Sequence, residues 1–117
     1  MNKLDFYIND RTYDLRTIEC NWSGEGVFVI LFNREWEYSA RGKEENTIYN
    51  LFDIACDEYD TCLKLSEYSK NCPLIGHAKT VLEAIDDLNK KINLFTGDID
   101  NEFMKLLSYC DELMDDN

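Results

Sequence analysis

Residues 27–32, VFVILF, are six apolar residues in succession, opened by SGEG and closed by Asn33 and Arg34. A run of that length is far too short to cross a bilayer and reads as a strand buried at the centre of a sheet. Its neighbours read as strands too. LDFYI alternates, with Leu4, Phe6 and Ile8 on one side, and ND at 9–10 is a turn signal. TYDLRTIECNW is rich in β-branched and aromatic residues. Its phase shifts from Tyr13 and Leu15 to Ile18, Cys20 and Trp22, which suggests a bulge. REWEYSA alternates again through Trp36, Tyr38 and Ala40. Short connections between such segments favour a four-stranded antiparallel meander.

After RGKEEN the period changes. Ile48, Phe52, Ala55, Tyr59, Cys62 and Ser66 recur every three or four residues, with Leu51 and Leu63 widening the stripe. That spacing predicts an amphipathic helix over 45–69. Pro73 fits the first turn of a second helix, whose stripe is Leu74, Ala78, Val81, Ile85, Leu88, Ile92 and Phe95. Gly97 and Asp98 read as a stop and an N-cap, before a third stripe of Ile99, Phe103, Leu106, Cys110 and Leu113. Strands followed by helices give an α+β fold: a four-stranded meander, then three amphipathic helices packed on it or bundled beside it. The length of 117 residues suits a single domain, with a β part at 1–43 and a helical part at 44–117. The heptad-like stripes also leave open a homodimer through the helices.

Charge separates the two parts. Residues 1–43 carry six basic and seven acidic side chains, whereas residues 44–117 carry six and seventeen. Nearly all of the net charge of −12 therefore lies in the helical part. A field of that sign repels nucleic acid and anionic membrane and attracts basic protein surfaces. The N-terminus lacks an apolar signal segment and has acids at Asp5 and Asp10, which points to the cytoplasm. Cysteines 20, 56, 62, 72 and 110 form no C-x-x-C and read as reduced, mostly buried thiols.

Motifs for chemistry are sparse. Cys56 and Cys62 diverge around a helix, His77 is the sole histidine, and DEYDTC lacks the glycine of a calcium loop. GDIDNE, with Asp98, Asp100 and Glu102, comes nearer but is too short, and capping explains Asp98. No phosphate-cradling glycine motif is present. The reading is a non-enzyme with no metal and no cofactor. With the apolar stripes turned inward, Asp53, Asp57, Asp60 and Glu67 face outward on the first helix. Glu83, Asp86 and Asp87 do so on the second, and Asp111, Glu112 and Asp115 on the third.

Like charges one turn apart weaken a helix slightly, so a one-signed face calls for a reason beyond solubility. The expectation is an acidic protein inhibitor that occupies the groove of a basic nuclease or other nucleic-acid-handling protein. Phage anti-defence proteins and DNA mimics are the class analogy. Immunity proteins and antitoxins are the alternative. A further alternative is a small-molecule binder, with Trp22, Phe28, Phe32, Trp36 and Tyr38 lining a pocket beside Arg34 or Arg41.

Overall fold

A computed structural model describes residues 3–9, 13–19, 26–33 and 58–115. In chain order the described elements are α1 (Lys3–Asn9), β1 (Tyr13–Glu19), β2 (Val27–Asn33), α2 (Tyr59–Ser69), β3 (Ile75–Ala78), α3 (Val81–Leu94) and α4 (Ile99–Asp115). The class is α+β, built on a three-stranded antiparallel sheet in the order β1-β2-β3.

VFVILF is the central strand, and all six of its residues are buried. Successive side chains of a strand point to opposite faces. Val27, Val29 and Leu31 therefore face one way, and Phe28, Ile30 and Phe32 the other. Burial of both sets means that both faces of the sheet are covered. The register places Gly76 beside Val29 and His77 beside Phe28. On the Val29 face α3 packs directly against Gly76. A Cβ added there would lie 2.0 Å from the Ala84 carbonyl oxygen and 2.9 Å from Leu88 Cβ. Only glycine lets the helix backbone approach the strand that closely. On the other face Phe103 of α4 meets Phe32 edge-on, with ring centroids 5.9 Å apart. Helices thus lie on both faces of the sheet.

The first segment departs from the alternating reading. Residues 3–9 form a short helix in which Leu4 is buried and Tyr7 and Ile8 are half-buried. Leu4, Tyr7 and Ile8 are also an i, i+3, i+4 set, so five residues satisfied both periods. The helix is anchored from outside itself. The Lys3 backbone N–H donates to Asn93 Oδ1 at 3.2 Å, and Lys3 Nζ donates to the Phe95 carbonyl. The Tyr7 and Tyr13 rings meet edge-on at 5.5 Å. The strand expected at 34–40 and the helical residues 45–57 lie outside the described residues.

A second correction concerns residues 73–80. They do not begin a helix: Ile75–Ala78 is the third strand, paired with Ile30, Val29, Phe28 and Val27. The helix begins at Val81 behind Thr80, whose hydroxyl accepts the Glu83 N–H and donates to the Glu83 carboxylate, both at 3.2 Å. Thr80 thus caps the helix at the Thr-x-x-Glu spacing of a capping box, with the Glu83 carboxylate on the Thr80 hydroxyl rather than on its backbone N–H. The buried line of α3 is Ala84, Leu88 and Ile92, with Val81 and Ile85 flanking it. The stripe of α2 is also rotated: Cys62, Leu65 and Ser69 are buried, while Tyr59 and Leu63 are exposed. In α4 the expected stripe faces inward: Ile99, Phe103, Leu106 and Cys110 are buried, and Leu113 is half-buried against the core.

Candidate functional site

Two surfaces carry chemistry: the outward acids of the helices, and a groove beside α4. Asp60 and Glu67 are exposed on α2, Glu83 and Asp86 on α3, and Glu112 on α4. Glu67 pairs with Lys70 at 3.0 Å, and both side chains are well exposed, so solvent screens the pair. Asp60, Glu83, Asp86 and Glu112 have no ion-pair partner among the described residues.

Asp87 stands apart from these acids. It is half-buried, accepts the His77 backbone N–H at 3.0 Å, and pairs with Lys91 at 2.8 Å. Lys91 Nζ in turn donates to the carbonyls of Ser69 and Ile75. The two residues tie the end of α2, strand β3 and α3 together, so Asp87 is committed to the fold. Asp53 and Asp57 lie outside the described residues. Asp111 and Asp115 belong to α4, but their side chains lie outside the described set.

The carboxylates of GDIDNE are each engaged within the protein. Asp98 Oδ1 accepts the Asp100 N–H at 2.9 Å and so caps α4. Asp100 accepts the Tyr13 hydroxyl. Glu102 pairs with Lys105 at 3.0 Å. Burial, followed by the Asp100 hydrogen bond, raises the Tyr13 phenol above its ordinary pKa. No group of three or more potential metal ligands is found among the described residues.

Cys62, Cys72 and Cys110 are buried. Burial pushes the Cys72 thiol up to about 11, against an ordinary 9.0. A thiol held protonated in this way is a poor nucleophile. His77 is half-buried with its ring stacked on Phe28, centroids 4.4 Å apart and planes 18° apart. Phe28 and Phe32 are fully buried in the core and offer no surface to a small molecule. Trp22, Arg34, Trp36, Tyr38 and Arg41 lie outside the described residues.

The groove escaped the sequence reading. It has a volume of about 790 Å³, opens to solvent, and runs along the outward stripe of α4 formed by Asn101, Met104, Lys105, Ser108 and Glu112. Its aromatic wall is a pair of tyrosines. The rings of Tyr68 from α2 and Tyr109 from α4 stack with centroids 4.0 Å apart and planes 8° apart. Tyr109 OH donates to the Lys64 carbonyl at 3.2 Å, fixing the ring. Phe95 and Gly97 close the end near the start of α4, where the Phe95 ring lies over Gly97. A smaller hollow of about 320 Å³ on the α2 side shares Tyr68 and Tyr109 and adds Lys64, Glu67 and Asn71. Met104 is 59% exposed and Leu94, near the Phe95 end, 81%. The signal in the sequence was Met104 with Ser108, set at helical spacing on the side of α4 away from its apolar stripe.

No helix of the described residues is long and apolar enough to cross a membrane. No protein-family model, curated protein or solved structure is significantly similar to this chain.

Proposed function

We propose that this chain is a non-enzymatic acidic protein ligand that binds a basic, nucleic-acid-handling protein and obstructs its nucleic-acid site, as phage-type anti-defence proteins and DNA mimics do. One observation carries the reading: Asp60, Glu83, Asp86 and Glu112 stand on three separate helices without ion-pair partners among the described residues. They belong to a stretch holding seventeen acids against six bases. Carboxylates held on packed helices keep fixed separations, which is what a surface evolved to bind phosphates can recognise. Such charge speeds encounter with a basic surface and loses its effect as salt is added.

The test is capture on the immobilised chain from extract of its native host, at low and at high salt. Beside it stands a variant with Asp60→Lys, Glu83→Lys, Asp86→Lys and Glu112→Lys. The expected result is a basic nucleic-acid-binding protein held by the wild type at low salt, released at high salt, and missed by the variant. A partner held equally by both chains, or one indifferent to salt, contradicts the proposal.

A further inference from the structure

We propose that the groove along α4 receives an arginine side chain from the basic partner, stacked on the Tyr68–Tyr109 pair and steered by the carboxylates of the groove rim. The inference rests on the reading of the chain as an acidic protein ligand and says where the partner anchors. Three features of the groove select this occupant.

The first is aromatic. Two nearly parallel tyrosine rings, stacked on each other, keep their outer faces for a further planar group, and both residues line the larger groove and the smaller hollow. A planar guanidinium stacks on such rings better than an ammonium does. The second is charge. The lining holds Asp98, Glu102 and Glu112 against one base, Lys105, and Lys105 is held by Glu102 at 3.0 Å. One oxygen of Asp98 caps α4, and neither Asp98 nor Glu112 has an ion-pair partner among the described residues. They stand fourteen positions apart, about 20 Å along a helix axis, so one lies towards each end of the groove. A cation entering between them finds negative charge on either side. The third is apolar contact: exposed Met104 and the Phe95 ring can cover the methylene stem of an arginine. An apolar peptide would satisfy the third feature and leave the carboxylates desolvated. Nucleic acid would meet repulsion.

The probe is the pentapeptide Ac-Gly-Arg-Gly-Arg-Gly-NH2, titrated at low salt into the isotopically labelled full chain and followed by amide NMR shifts. Its lysine and citrulline counterparts serve as controls. Shifts are expected to concentrate at Tyr68, Asn101, Met104, Ser108, Tyr109 and Glu112. The order of affinity should be arginine over lysine, with no binding by the neutral citrulline peptide. Tyr109→Ala should weaken the arginine peptide by roughly 3- to 10-fold, the range of a partly exposed cation–π contact. Tyr109→Phe, which keeps the ring and loses only the Lys64 hydrogen bond, should retain most of the binding. Glu112→Gln is an exposed change that tests the rim without disturbing the core.

Equal affinity for arginine and lysine peptides, with shifts spread over Asp60, Glu83 and Asp86, overturns the inference. So does preferential binding of a short duplex DNA in the groove. Self-association that closes the groove, seen as a dimer by light scattering that Tyr109→Ala dissociates, overturns it too. If the peptides miss the groove while salt-sensitive capture of a basic protein persists, the anchor site is wrong and the proposed function stands. If the wild type captures no basic protein, the proposed function itself fails.

Discussion

The two faces of the sheet are covered in different ways. On the Val29 face, α3 rests on bare backbone: Gly76 lies under Ala84 and Leu88, with no space for one further carbon. Lys91 and Asp87 tie the same helix to β3. On the Phe32 face, α4 is fastened by Phe103 and the buried line Leu106 and Cys110, while beside it Tyr68 and Tyr109 stack along an open groove. The first contact is built for stability, and what α3 offers a partner is its outward acids, Glu83 and Asp86. The second leaves a tyrosine pair, an exposed methionine and carboxylates without ion-pair partners among the described residues along an open groove. Their difference separates residues that hold the fold from residues free to serve a partner.

The largest expected effect breaks the tight side. Leu88→Ala opens a cavity against Gly76 and should lower unfolding stability by roughly 3–5 kcal/mol in urea denaturation. Gly76→Ala drives a Cβ into the Ala84 carbonyl, so strand and helix must separate; a loss of about 3 kcal/mol is expected in the same assay. If either change costs under about 1 kcal/mol, α3 does not pack as described.

Alkaline stability probes the α2–α4 side. Cys72 holds its proton to about pH 11 in the fold, chiefly through burial, against an ordinary 9.0. Below pH 9 the thiol is neutral in both states and its contribution is fully present. Between pH 9 and 11 the unfolded chain releases that proton while the folded chain keeps it, so stability falls with rising pH. The loss should reach about 2–3 kcal/mol by pH 11. The stability gap between wild type and Cys72→Ala should accordingly narrow between pH 8 and 11; a constant gap would show that Cys72 is not the group responsible.

The smallest effect sharpens the contrast. Met104→Gln alters an exposed groove residue and should change stability by no more than about 0.5 kcal/mol. A larger loss would mean that the groove wall is structural after all.

Much of this was legible beforehand, for physical reasons. Six apolar residues between SGEG and Asn33 read as a buried central strand, and such a strand needs cover on both faces. The stripe of α4 was readable because Ile99, Phe103, Leu106 and Cys110 keep one period without competition. α1 was misread because Leu4, Tyr7 and Ile8 fit a helix as well as Leu4, Phe6 and Ile8 fit a strand, and its hydrogen bonds come from the distant Asn93 and Phe95. β3 was hidden because Leu74 and Ala78 happen to continue the spacing of α3. Thr80 and Glu83, at the Thr-x-x-Glu spacing of a capped helix start, marked the true beginning. Of the acids read as outward, Asp60, Glu67, Glu83, Asp86 and Glu112 are exposed, but Asp87 shows the limit of periodicity, since its bond to the His77 N–H depends on a strand the period had absorbed. The groove needed Tyr68 and Tyr109, forty-one positions apart, to meet, and no local pattern reports that.

The central claim is that this chain competes with nucleic acid for a basic protein. Its most direct test takes the protein captured at low salt, loads it with fluorescently labelled duplex DNA, and follows anisotropy as the chain is added. The wild type is expected to displace the DNA with a midpoint that rises with salt, and the four-lysine variant to displace none. Retention of the DNA alongside the bound chain, or equal displacement by the variant, would contradict it.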